Sequence, residues 1–348
     1  MAHNSIEWGA DILGDGFENA TFPLHDDEEG PVVTTLVRHL PDLDPHARPA
    51  LPHADQLQPF AFLALHGWND YFYQRELARF ISSIGGHFYA LDLRKYGRSH
   101  LEGQTWGFIT DLDDYDEELH IALDAIHAEH GEIPVILYGH STGGLTATLW
   151  ADRHPGAIAG LVLNSPWLEL QGARGIRNAS QPAFDALSRL SPTAVIPLPD
   201  NGFYHRTLNG DHLSAADLPA DAETDPFFTT GWEPDPRYRH MPTFPVRAGW
   251  LRAILNGHAQ VAEGLDIPCP ILMLTSDHSI SDAEWSDEFL AADSVLTVEN
   301  LWMRAPFLGS KITLTKLKGA IHDVTLSRRE VREAAFSEMH EFLASALK

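Results

Sequence analysis

The sequence predicts an α/β fold: a mostly parallel eight-stranded sheet with helices on both faces and an insertion laid over it. Three observations lead there. Runs such as "FAFLALHG" (60–67), "IPVILYG" (133–139) and "IAGLVLNSP" (158–166) are continuously apolar, as strands buried on both faces are. Segments of helical apolar spacing separate them, for example "YFYQRELARFISSIGG" (71–86) and "GGLTATLWADRHPG" (143–156). The alternation stops at Pro166 and resumes at "IPCPILMLTS" (267–276). Residues 1–166 and 266–348 are therefore expected to form one core, and residues 167–265 an insertion (a lid) over it.

The elements follow in order. "FENATFPL" (17–24) and "VVTTLVRHL" (32–40) are β-branched runs separated by Asp, Gly and Pro, which predicts a hairpin. Residues 41–59 are rich in Pro and His and predict a loop. "HFYALDLRKYG" (87–97) is a strand running into a polar turn. "TDLDDYDEELHIALDAIHAEHG" (110–131) predicts a helix with Thr110 as cap, acids in the first turn and Gly131 at the end,. "KITLTKLKG" (311–319) supplies the last strand, and 327–347 a final amphipathic helix.

Composition narrows the function classes. The chain has 348 residues and a formal net charge of −25, and a field of that sign repels nucleic acid and anionic membrane surfaces. No apolar stretch reaches the length of a membrane span. The N-terminus lacks the basic and apolar regions of a signal peptide, so the default expectation is a cytoplasmic protein. Cys269, the single cysteine, opens an apolar run and is expected to be a small buried residue,. His127 and His130 in "HAEH" are spaced i,i+3 with no third ligand nearby, so neither a metal nor another cofactor is expected.

The chemistry is carried by "VILYGHSTGGLTA", which contains Gly139-His140-Ser141-Thr142-Gly143 between a strand and a helix. A serine on such a sharp turn has strained backbone angles and needs small residues two positions away on either side. The helix that follows favours developing negative charge. Ser141 is thus the expected nucleophile. A base is expected after the last strand, where "LKGAIHDVTLS" places His322,. An oxyanion needs donors: the N–H of Thr142, after the nucleophile, and that of Trp68, in the "LALHGWND" loop ending the first parallel strand,.

These segments resemble the α/β-hydrolase superfamily, and within it the monoacylglycerol lipase and lysophospholipase-like serine hydrolases. "LALHGWNDYFYQRELARFI" is similar to that family's oxyanion loop and following helix, "FYALDLRKYGRS" to its D-x-R/H-x-x-G-x-S turn, "ILYGHSTGG" to its elbow, "LVLNSPWL" to the strand leading into its lid, and "GAIHDV" to its histidine loop. Trp68 departs from the pattern, since many relatives carry a small residue there, and the departure narrows the expected acyl pocket. The resemblance implies attack by Ser141 on an ester carbonyl with His322 as general base, no cofactor, and a small or lipid-like ester as partner.

It also implies an acid after the strand at 271–276. Residues 272–300 hold seven acidic side chains. Ser281-x-x-Glu284 forms a capping-box pattern, which predicts a helix over about 282–291 and explains Asp282, Glu284, Asp287 and Glu288 as its surface. Glu299 falls within a further helix (297–307). Asp293 and Asp277 remain. Asp293 is the expected acid, because "DSVLTVEN" is similar to the family segment in which the acid precedes an apolar position and a helix; Asp277 is the alternative. In the insertion, Phe227, Phe228, Trp232, Trp250, Leu251, Ile254 and Leu255 either line an acyl site or pack the lid on the core. Amidase, thioesterase or acyltransferase chemistry on the same residues, or a non-catalytic binding module, are the competing expectations.

Overall fold

A computed structural model of the chain describes residues 6–51, 57–170, 188–198, 200–209 and 222–348. Its strands are β1 (Gly9–Ala10), β2 (Phe17–Pro23), β3 (Val33–His39), β4 (Phe60–Leu65), β5 (Gly86–Asp92), β6 (Val135–His140), β7 (Gly160–Asn164), β8 (Val195–Ile196), β9 (Val246–Arg247), β10 (Ile271–Ser276) and β11 (Ile312–Leu317). Its helices are α1 (Arg75–Ser83), α2 (Asp116–His130), α3 (Thr142–Arg153), α4 (Phe203–Leu208), α5 (Ala248–Glu263), α6 (Val298–Arg304) and α7 (Arg329–Ala346).

Nine strands, in the order β1-β2-β3-β5-β4-β6-β7-β10-β11, form the main sheet. The last six in that order are parallel, with Leu63 opposite Tyr89 and Leu137, and Leu161 opposite Ile271. β2 and β3 pair as the expected hairpin. The sequence predicts eight strands; the ninth, β1, adds two residues beside β2, too few to leave a periodic signal. The small sheet of β8 and β9 is likewise two residues deep.

The side chains of β4 show why its sequence is unbroken. Ala61, Leu63 and Leu65 enter one core layer with the apolar faces of α2 and α3, and Phe60, Phe62 and Ala64 enter the other with those of α1 and α7. Both faces are covered, so alternation along the strand separates two cores rather than core from water. Phe80 of α1 stacks on Phe336 of α7 with ring centroids 4.4 Å apart.

Some boundaries differ from expectation. α1 begins at Arg75, not 71, because Tyr71, Phe72 and Tyr73 are buried in the turn before it. Asp111, not Thr110, caps the α2 region, accepting from the Asp113 N–H. Cys269 is half-buried, and the packing around its thiol pushes the pKa up to about 11. His130 stacks on His87 and meets the Tyr89 hydroxyl. Among the described residues no metal-binding group is present and no helix is long and apolar enough to cross a membrane. Of the expected insertion, residues 171–187, 199 and 210–221 lie outside the described residues.

The turn after β5 is held by charge. Asp92 accepts from the backbone N–H groups of Phe72 and Arg98, and the Arg98 guanidinium bridges Asp92 and Asp11 at 2.8 and 2.6 Å. Gly97 has φ +45°, and a Cβ there would lie 2.4 Å from Asp92 Oδ2. Burial lowers the Arg98 pKa, but the two carboxylates outweigh it and hold the guanidinium above its ordinary value. Arg98→Ala leaves two buried carboxylates without their cation. It is expected to cost ~3–5 kcal/mol, read as a fall in the urea midpoint; an unchanged midpoint would remove the network from the account of stability.

Candidate active site

The carboxyl ends of the parallel strands converge on one edge of the sheet, where ligands bind in folds of this kind. Ser141 sits between β6 and α3 with φ 54° and ψ −117°, a conformation that L-residues adopt only under constraint. Its N–H donates to Asn164 O on β7, and its carbonyl accepts from Trp167 N. The flanking glycines are required by space. A Cβ on Gly139 would lie 2.5 Å from Gly143 O, and one on Gly143 only 2.2 Å from His66 O.

Two loops close around the serine. The β4 loop brings Gly67 so near that a Cβ there would lie 3.0 Å from Ser141 Cβ. Among the described residues no carbonyl or side chain accepts from the backbone N–H of Trp68 or of Thr142, and the Thr142 N–H opens the N-terminus of α3. The loop after β11 carries His322, whose ring lies 4.9 Å from that of His140, the residue before Ser141. Tyr204 of α4 meets His322 edge-on at 5.4 Å.

The acid region differs from its expected local structure but brings Asp293 to the histidine. Only a single 3-10 turn forms, Asp287–Leu290, and the capping-box helix over 282–291 is absent. The backbone is engaged elsewhere: Asp293 N donates to His278 O and Ile280 N to Asp293 O, while Ile280, Phe289 and Ala292 form a small apolar cluster of their own. This places Asp293 Oδ2 2.9 Å from His322 Nδ1, with both side chains buried. The other oxygen, Oδ1, accepts from Val295 N and Leu296 N at 2.8 and 2.7 Å. With the proton on Nδ1 the ring donates to this carboxylate, which leaves Nε2 as an acceptor. Asp277 instead pairs with His278 at 2.9 Å near the surface and accepts from Gly319 N.

A second buried carboxylate, Asp323, follows the histidine. It accepts from Asn164 Nδ2, from the Thr325 N–H and hydroxyl, and from Gln74 Nε2. Burial alone would raise its pKa, but His140 and these donors hold it below the usual carboxylate range. Burial also pulls the His140 pKa down.

Residues 239–240, within the segment expected to be an insertion, are tied directly to the Trp68 loop. Asn69, at φ 52°, donates to His240 O and accepts from His240 N at 2.9 and 3.1 Å. Arg239 pairs with Asp70 at 2.8 Å, both buried. No sequence signal marks Asn69, Asp70, Arg239, His240 or Tyr204, because their partners lie 169 to 171 residues away or on another element. The insertion's aromatics divide. Phe227 and Trp232 pack into the core beside α7, with the Trp232 indole N–H donating to Leu326 O, and Phe228 lies against them. Trp250 and Ile254 line a cavity against Gly67 and Thr142. Leu251 packs on that same side of the sheet, and Leu255 is half-buried.

Comparison with known proteins adds the family. The chain is 25% identical over 190 residues to the monoacylglycerol lipase of Mycolicibacterium smegmatis, covering 54% of this chain and 59% of that one. It is 33% identical over 91 residues to the human monoglyceride lipase, covering 26% and 29%. It thus spans less than two thirds of either relative. A carboxyl esterase from Bacillus coagulans solved with glycerol superposes with a TM-score of 0.62 at 16% identity, covering 95% of this chain and 99% of that one, a likeness of fold alone. Residues 60–296 match the family model described as serine aminopeptidase, S33, and the chain belongs to that family of α/β-hydrolases.

Proposed function

We propose that this chain is a carboxylic ester hydrolase working through an acyl-enzyme on Ser141. The observation that carries the reading is the buried 2.9 Å contact of Asp293 with His322, whose ring lies 4.9 Å from that of His140, the neighbour of Ser141 in its strained elbow. Ser141 Oγ attacks the ester carbonyl while His322 Nε2 takes its proton. The oxyanion is held by the N–H groups of Trp68 and Thr142. His322 returns the proton to the leaving alkoxide, and Asp293 balances the imidazolium. Water, deprotonated by the same histidine, then releases the acid and restores the serine. Residues 167–265 act as a lid over this site. The Asn69–His240 bonds and the Asp70–Arg239 pair support that reading.

A fluorophosphonate probe is expected to label the protein and to lose that labelling in Ser141→Ala. Full labelling of the variant would rule out Ser141 as nucleophile. The family description favours one further test, a panel of amides beside the esters, in which faster amide turnover would replace the esterase reading with a peptidase one. Asp293→Asn is expected to lower kcat by about 10⁴-fold, the scale of a lost triad acid. Asp277→Asn, on the surface pair with His278, is expected to leave kcat within about twofold, as surface changes remote from the chemistry do. The reverse ranking in steady-state kinetics would transfer the acid's role to Asp277.

A further inference from the structure

A backbone donor stabilises an oxyanion only if it is aimed before the charge develops. Trp68 lies in a turn outside any helix or strand, so its N–H must be aimed by tertiary contacts. On its N-terminal side Gly67 packs against Ser141. On its C-terminal side the contacts come from residues 235–244.

These contacts run in order. Phe244 meets the Trp68 ring at 4.5 Å. His240 exchanges two hydrogen bonds with Asn69, and Arg239 pairs with Asp70 at 2.8 Å. The Tyr238 ring lies 5.2 Å from that of Tyr71, whose hydroxyl accepts from Asp235 N at 2.7 Å. Rising numbers in the loop thus meet falling numbers in the segment, and the two run side by side in opposite directions.

Arg239 is the costly member of this seam. It is 7% exposed and Asp70 is 2% exposed. A buried ion pair adds little net stability over apolar side chains of the same size, yet removing one partner strands the other. What the pair supplies is a fixed geometry, with the Asp70 carboxylate held where the guanidinium is. Asn69 makes both of its bonds to His240 through its side-chain amide. Its φ of 52° persists in a residue other than glycine only where the surroundings enforce it. Trp68 therefore sits between Gly67, pressed on the elbow, and two clamped residues.

We propose that Arg239 is a positioning residue of the active site, which through Asp70 aims the Trp68 N–H at the oxyanion. This rests on the ester hydrolase reading above. A displaced donor weakens the hold on the transition state and leaves ground-state binding in place, so the loss falls on kcat. The test measures kcat and KM for p-nitrophenyl acetate in wild type, Arg239→Ala, Asp70→Asn and the double variant. Each is normalised to the sites that a fluorophosphonate labels. A change that merely unfolds part of the sample lowers the number of labelled sites and leaves kcat per site unchanged. Each single variant is expected to lose at least about tenfold in kcat per site, with KM within about threefold. The double variant is expected to fall no more than about threefold below the worse single one, because both changes break the same link. The proposal is overturned if Arg239→Ala labels and keeps the wild-type kcat per site, if the loss lies in KM, or if the two single losses multiply in the double variant. If Arg239→Ala yields no labelled sites, Asp70→Asn decides by the same kcat criterion. Wild type that neither labels nor turns over the ester overturns the hydrolase reading itself, and this role with it.

Discussion

The candidate site depends on how closely three backbone segments approach one another at the end of β6. The elbow presses against the β4 loop so tightly that a Cβ on Gly143 would meet His66 O at 2.2 Å, and the elbow's own two arms leave no room for a Cβ on Gly139. Excluding Cβ atoms from this crossing holds Ser141 at positive φ and brings the Gly67–Trp68 segment to its side. The geometry is over-determined by packing on both faces of the sheet, which is how a strained residue persists in a folded chain.

Asn164, at the end of β7, joins the pieces. Its carbonyl accepts from Ser141 N. Its side chain donates to Tyr138 Oη and Asp323 Oδ1 and accepts from Val324 N. One buried amide therefore links the strand that leads into Ser141, its neighbour and the loop that carries His322. The Asp323 anion is sustained by His140 and by its donors, which fixes the loop without competing for the Asp293 position beside His322. Networks of this kind are favourable only when every member is satisfied, so the spacing of the three loops leaves little tolerance.

The parts legible in the sequence are those whose signal is local. The β4 and β6 strands are visible because burial on both faces makes them continuously apolar. Gly139 and Gly143 are visible because the elbow's geometry excludes other residues. The 281–293 segment is a different case. The capping pattern at Ser281 and Glu284 has the right local chemistry for a helix, yet the pairing of Asp293 with 278–280 and the cluster of Ile280, Phe289 and Ala292 override it. Tertiary contacts outweigh a local propensity of this size. Arg239 and Asn69 carry no local pattern at all, because their meaning arises only once distant segments meet.

The two hydrogen bonds between Asn69 and His240 join the loop after β4 to a backbone segment 171 residues further along the chain. They tie the residue after Trp68 to the seating of residues 239–240. Free energy that seats one orders the other, and thermodynamic linkage makes the relation reciprocal. On the proposed reading, an anionic oxygen that took up the Trp68 N–H would favour the seating of residues 239–240 by the same factor by which that seating favoured the oxygen.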